Sequence, residues 1–257
     1  MVYARRMPHR EHDAGLVWNR LSAPRMAPYL EKAGGDKGDA LALYEWSTRT
    51  AAAAFEDVGH FEVLLRNAVD SCLRRHFRED ERKIPWFLLP LPGGEGAAAP
   101  VRSVRERLRE EGKESRDQIV AGLTFGYWSG LLGPEYAELW RDGLHKAFPN
   151  APGRRRRVFA ALDGIRVFRN RLAHHDSMLG VDVPFEARRV FAAARWIDED
   201  AAAWLERRSR VLELCRLCPT GAGDTAADRA RERRKPLRAV LRSAAGLRAA
   251  ARSRPRT

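Results

Sequence analysis

Residues 158–178 read VFAALDGIRVFRNRLAHHDSM, and the rest of the chain is read outward from them. Val158, Leu162, Ile165, Phe168 and Leu172 recur at spacings of three and four, which puts them on one apolar stripe of a helix. The end of that helix carries a dense polar cluster, Arg169, Asn170, Arg171, His174 and His175. His174 follows Arg169 by about 500° of helical rotation, roughly 140° on the wheel. One helix therefore does not aim both at a common point without side-chain reach or a second subunit. Arginine is a fixed-charge donor suited to a phosphate, and histidine exchanges protons near neutral pH. The plainer alternative is a helix that ends in solvent with cations complementing its dipole.

Arg154, Arg155, Arg156 and Arg157 lead into this helix. Four consecutive arginines suit a phosphate backbone running beside the Arg169/His174 cluster, and equally suit a solvated helix start. Upstream, 40–57 and 58–78 are expected as two helices or one long kinked one. Leu43, Trp46, Thr50 and Phe55 mark the first apolar face, and Phe61, Leu64, Leu65, Ala68 and Leu73 the second. Glu62, Arg66, Asn67 and His76 stand against that second stripe, with Glu62 and Arg66 at pairing distance along a helix. They are either a solvated ion pair or a polar row bordering a groove.

The remaining segments also read as helices. Ser22 is expected to cap a short helix through Leu30, closed by Gly34-Gly35, and Asp39 the long helix after it. Residues 84–89 are a packed, proline-punctuated loop, 91–100 (LPGGEGAAAP) a linker, and 101–111 a charged scaffold helix. Ser115 or Asp117 starts a helix over 118–132, whose Gly122, Gly126 and Gly130 leave room for a close neighbour. A further amphipathic helix covers 135–148, and 185–217 is mostly helical with an arginine-rich outer face.

The formal charge of +13 is uneven: residues 221–257 hold 11 Lys or Arg against 3 Asp or Glu, net +8, which leaves +5 for residues 1–220. A basic tail points to nucleic acid or an acidic surface, or simply maintains solubility. Cys72, Cys215 and Cys218 suggest no disulfide framework, and the lone Cys215/Cys218 CxxC lacks the two further ligands of a zinc site. Neither metal nor cofactor is expected. No stretch approaches a membrane span and no signal peptide is visible, so a cytoplasmic protein without membrane contact is expected. The expected organisation is a loose, flexible basic lead-in over 1–20, one helical domain over 21–218 with a linker near 90–100, and a flexible basic tail over 219–257.

Several blocks together resemble a known family. Residues 21–30 followed by GGD, LYEW at 43–46 (Leu43 to Trp46) and FEDVGHFEVLLRNAV at 55–69 resemble the first half of the Abi-like (abortive infection, AbiD/AbiF-type) bacterial proteins. IVAGLTFGYWSGLL at 119–132, LWRDGLHKAFP at 139–149 and IRVFRNRLAHHD at 165–176 resemble their second half. That family is similar to the HEPN superfamily, so the resemblance implies an all-α, HEPN-like helical bundle with additional helices. Its signature is an arginine, usually followed by a polar residue, then a histidine after four to six residues. Arg169, Asn170 and His174 match it, and His175 and Asp176 extend the ending.

The resemblance implies a phage-defence or toxin-type endoribonuclease that works without metal through attack of the ribose 2′-OH. Arg169, Asn170 and His174 would be catalytic. His175, Arg171, Glu62, Arg66, Asn67 and the 154–157 arginines would support catalysis or hold substrate. RNA and a second copy of the chain are the implied partners, with an antitoxin or phage-derived trigger as a further one. The competing class is a non-catalytic HEPN-like module that binds nucleic acid or protein. Burial of Arg169 and His174 in an intrachain network would favour it.

Overall fold

The structure, a computed structural model, describes residues 11–91 and 95–219; the expected tail over 219–257 therefore lies, after Pro219, outside the described residues. The described residues are all-α, forming a helical bundle of α-helices and short 3-10 turns with no strand among them. In chain order they are α1 (Glu11–Arg20), α2 (Ala23–Lys32), α3 (Lys37–His76), α4 (Glu79–Arg82), α5 (Ala98–Glu110) and α6 (Arg116–Gly122). There follow α7 (Phe125–Gly130), α8 (Ala137–Asp142), α9 (Arg155–Ala173), α10 (Val183–Ile197), α11 (Glu199–Arg208) and α12 (Val211–Arg216). Residues 11–20, expected as loose, are helical.

Where one helical domain is expected over 21–218, the chain divides into two compact units. Of the described residues, the first takes in 11–47, Met178–Val181 and 216–219. Met26, Tyr29, Ala40 and Leu43 form its buried centre, with Trp18, Leu21, Tyr44 and Leu179 packed around them. Buried Ser47 accepts hydrogen bonds from the Tyr29 hydroxyl at 3.1 Å and the Met178 amide at 3.0 Å. Two capping expectations are corrected here. Ser22 makes no side-chain cap, having a backbone φ of 68°. Asp36, not Asp39, caps α3: its carboxylate accepts the Asp39 amide at 2.8 Å. Gly34 and Gly35, with φ of 64° and 93°, close α2 in a conformation that glycine adopts without steric cost.

The second unit comprises Thr48–Ser177 and Asp182–Cys215. Of the two alternatives for 40–78, one long helix is formed: α3 is continuous over 40 residues. Val58, Phe61, Leu65, Val69 and Leu73 are fully buried along it. All five stripe residues of α9 are buried too, and α9 packs against α7 and α10. At about 25 cal/mol per Å², burying side chains of this size contributes roughly 1.5–3 kcal/mol each, an upper bound given a partly collapsed unfolded chain.

Two expected helices break, each for a local reason, and the segment expected as mostly helical is divided by two caps. The one over 118–132 splits where Leu123 turns extended and the Thr124 hydroxyl accepts the Tyr127 amide, capping α7. The one over 135–148 splits at Gly143, whose extended backbone lies so close to His76 that an added Cβ would meet the ring at 2.7 Å. The segment over 185–217 becomes α10, α11 and α12. Asp198 caps α11 by accepting the Ala201 amide at 2.7 Å, and Ser209 interrupts the chain before α12. Of the three spaced glycines, Gly122 alone faces another helix closely, its missing Cβ lying 2.7 Å from a Val104 methyl on α5.

Candidate nucleic-acid interface

The two ends of α9 carry the candidate residues, and the backbone treats the ends differently. At the C-terminus the His175 amide donates to the Leu172 carbonyl at 3.1 Å and the Asp176 amide to the Arg171 carbonyl at 3.0 Å. This is the paired closure that usually places glycine in the left-handed position. Here His175 occupies it, with φ of 55°. The turn carries the chain away from the helix axis and leaves His174, His175 and Asp176 exposed. Arg171 pairs loosely with Asp176 at 3.7 Å.

Arg169 points the other way, toward α3. Its Nε lies 3.9 Å from a Glu62 carboxylate oxygen, an ion pair too long for a hydrogen bond, and its guanidinium stands 6.0 Å over the Phe55 ring. That Nε is sealed from solvent with no acceptor. The expected Glu62–Arg66 pair is not formed: Glu62 reaches across to Arg169, while Arg66 makes a long 3.5 Å contact to the Ala121 carbonyl and its Nε also lacks an acceptor. Phe55, expected in the apolar face, is exposed and serves as the floor beneath Arg169. Asn67 is exposed, and Asn170 is half-buried beside Arg169 in sequence.

The arginine run does not lie beside this cluster. From Arg156 to His174 is about five turns of α9, roughly 27 Å along its axis. Arg155 is structural: its guanidinium donates to the Leu132 carbonyl at 2.5 Å and ties the start of α9 to the end of α7. Arg154, Arg156 and Arg157 are exposed, and none pairs with a carboxylate among the described residues. No acidic residue occupies the first turn of α9. Three unneutralised cations thus stand at the positive end of a helix dipole, where each is disfavoured by a few tenths of a kcal/mol to about 1 kcal/mol.

Two buried polar groupings elsewhere carry no signal in the sequence. Arg116 of α6 bridges Asp70 at 2.9 Å and Glu79, while Trp86 donates its ring N–H to Asp70 at 2.8 Å and its amide to Glu79 at 3.1 Å. Burial works against the Arg116 charge, but Glu79 and Asp70 more than offset it and hold the guanidinium above the usual arginine range. The other is Asp57, whose carboxylate accepts a 2.6 Å hydrogen bond from Ser209. Among the described residues no group of three His, Cys, Asp or Glu side chains is placed to hold a metal ion, and no helix is long and apolar enough to cross a membrane. No family model, curated protein or solved structure matches the chain.

Proposed function

We propose that this chain is a HEPN-like, Abi-type endoribonuclease of phage defence or a toxin system, which pairs with a second copy and cleaves RNA without a metal. The observation that carries the reading is the polarity of α9's end: His174 is exposed to solvent, while Arg169, drawn toward Glu62 without a hydrogen bond, keeps 32% of its side chain exposed. An exposed imidazole and a partly exposed guanidinium are what phosphodiester transfer uses. The 2′-oxygen loses its proton and bonds to phosphorus, the bond from phosphorus to the 5′-oxygen breaks, and that oxygen takes up a proton. The products are a 2′,3′-cyclic phosphate and a 5′-hydroxyl. His174 serves as proton acceptor or donor, Arg169 faces the charge gathering on the phosphorane, and Asn170 orients the phosphate by hydrogen bonding. A cleft between two copies gives each reacting phosphate access to both motifs, which the wheel angle denies to one helix.

A second reading, a non-catalytic module that binds nucleic acid, is favoured by one observation: Arg169 already has an intrachain partner in Glu62. Arg169→Ala separates the two. A nuclease loses about 10²–10³-fold of its RNA cleavage, the magnitude for one lost transition-state donor, with the melting temperature within about 2 °C of wild type. A large fall in melting temperature makes the Arg169–Glu62 contact structural and favours the second reading.

A further inference from the structure

The face of α9 that ends in His174 begins in Arg156. Five turns of a 3.6-residue helix return to the same bearing, so these two residues share one azimuth, about 27 Å apart. Between them, within about 40° of that bearing, lie Ala160, Asp163, Val167 and the half-buried Asn170. Ala160 is exposed, Val167 is 57% exposed, and Asp163 is neutralised by Arg166 at 2.7 Å. The stripe thus reaches solvent along its length, with the unpaired Arg156 guanidinium at one end, the imidazole at the other, no unpaired carboxylate between, and Arg154 and Arg157 flanking Arg156 in sequence.

Resting on the RNA reading above, we propose that the solvent face of α9 is a track for single-stranded RNA. Arg154, Arg156 and Arg157 hold backbone phosphates at a fixed distance from the phosphate that reacts at His174. Those arginines contact phosphates, so they set position and length rather than sequence. At 3.4 Å per stacked nucleotide, 27 Å corresponds to about eight nucleotides, and fewer in a more extended strand. The track therefore selects substrates by length: an RNA of three nucleotides touches one end at a time, and one of twelve spans both. A second copy is the weaker occupant. Ala160 and Val167 are the apolar contacts the middle of this face offers, far short of the roughly 800 Å² per partner that a stable interface buries. The pairing of copies proposed above engages the His174 end and leaves the arginine end open.

The test uses the full chain with fluorescent 2′-O-methyl oligouridylates of three and twelve nucleotides, which bind without being cleaved, read by anisotropy across a salt series. The wild type is expected to bind the twelve-mer at least tenfold more tightly than the three-mer. Replacing Arg154, Arg156 and Arg157 together by Gln should remove most of that gain, weaken the three-mer far less, and lower the salt slope by about 2, at roughly 0.7 per phosphate contact on a single strand. The single variant Arg156→Gln should lose part of it. A triple variant that binds the twelve-mer like wild type overturns the track. So does one that keeps its RNA affinity while changing oligomeric state, since the face is then held by another copy. A wild type that shows the length gain but never cleaves ordinary RNA defeats the nuclease reading and leaves the track standing; cleavage undiminished in the triple variant does the reverse.

Discussion

Asp57 is a carboxylate that folding has made expensive. It is buried on α3, and burial pushes its carboxyl up to about 6; Ser209 and, more weakly, His60 and Arg210 pull the other way, while Glu56 adds to the rise. A carboxyl raised in the folded state binds its proton more tightly there than in the unfolded chain. Its contribution therefore favours the native state below the ordinary carboxylate value and is lost as pH rises from about 4 to about 6. Above that window the ionised group costs on the order of 2–3 kcal/mol. Asp57→Asn, which still accepts the Ser209 hydroxyl, is predicted to be more stable than wild type at pH 7.5 and equal to it near pH 4. Urea unfolding at the two pH values checks this, and an Asn variant less stable at both would show that the charge itself holds Ser209 in place. Nothing near Asp57 in the sequence announces this, because its hydrogen-bond partner is 152 residues away.

α9 was fully legible as an element: the apolar positions at spacings of three and four are the buried ones. Its polar end was legible as a cluster but not as a geometry, since Arg169's partners Glu62 and Phe55 belong to another helix. The breaks at Thr124 and Gly143 were missed, and the one at Ser209 was not located, for a common reason. Each sits inside an apolar period that continues on both sides, and a hydroxyl cap or close backbone approach, invisible to periodicity, stops the helix. The network joining α3, α4 and α6 was missed because its charges pair across 37 and 46 residues. Arg116→Met strands two largely buried carboxylates, with side chains 14% and 8% exposed, and is predicted to cost about 3–5 kcal/mol. The exposed Arg107–Glu111 pair on α5 is the control: Arg107→Ala should cost under about 1 kcal/mol. Thermal unfolding compares the two, and equal small losses would show that water already reaches Asp70 and Glu79.

Across the whole molecule, charge is the property that composition and structure agree upon. The sequence places +8 of the total +13 in residues 221–257, outside the described residues. Within the described residues Arg154, Arg156 and Arg157 stand exposed without a pairing carboxylate, and Arg156 shares a helix bearing with His174. Length, composition and the α9 stripe established a helical protein from sequence; the arrangement of the candidate groups required the fold, because bearing and distance along a helix decide what one ligand can touch. The central claim is that the exposed imidazole at the end of α9 cleaves RNA. The measurement that reaches it most directly is incubation of RNA with the full-length protein in EDTA, beside His174→Ala of matched melting temperature and oligomeric state, followed by analysis of the new ends. The account predicts cleavage by the wild type that leaves 2′,3′-cyclic phosphate and 5′-hydroxyl ends, and a loss of about 10²–10⁴-fold in the variant. Equal cleavage by the two proteins, or products ending in 5′-phosphate, would contradict it.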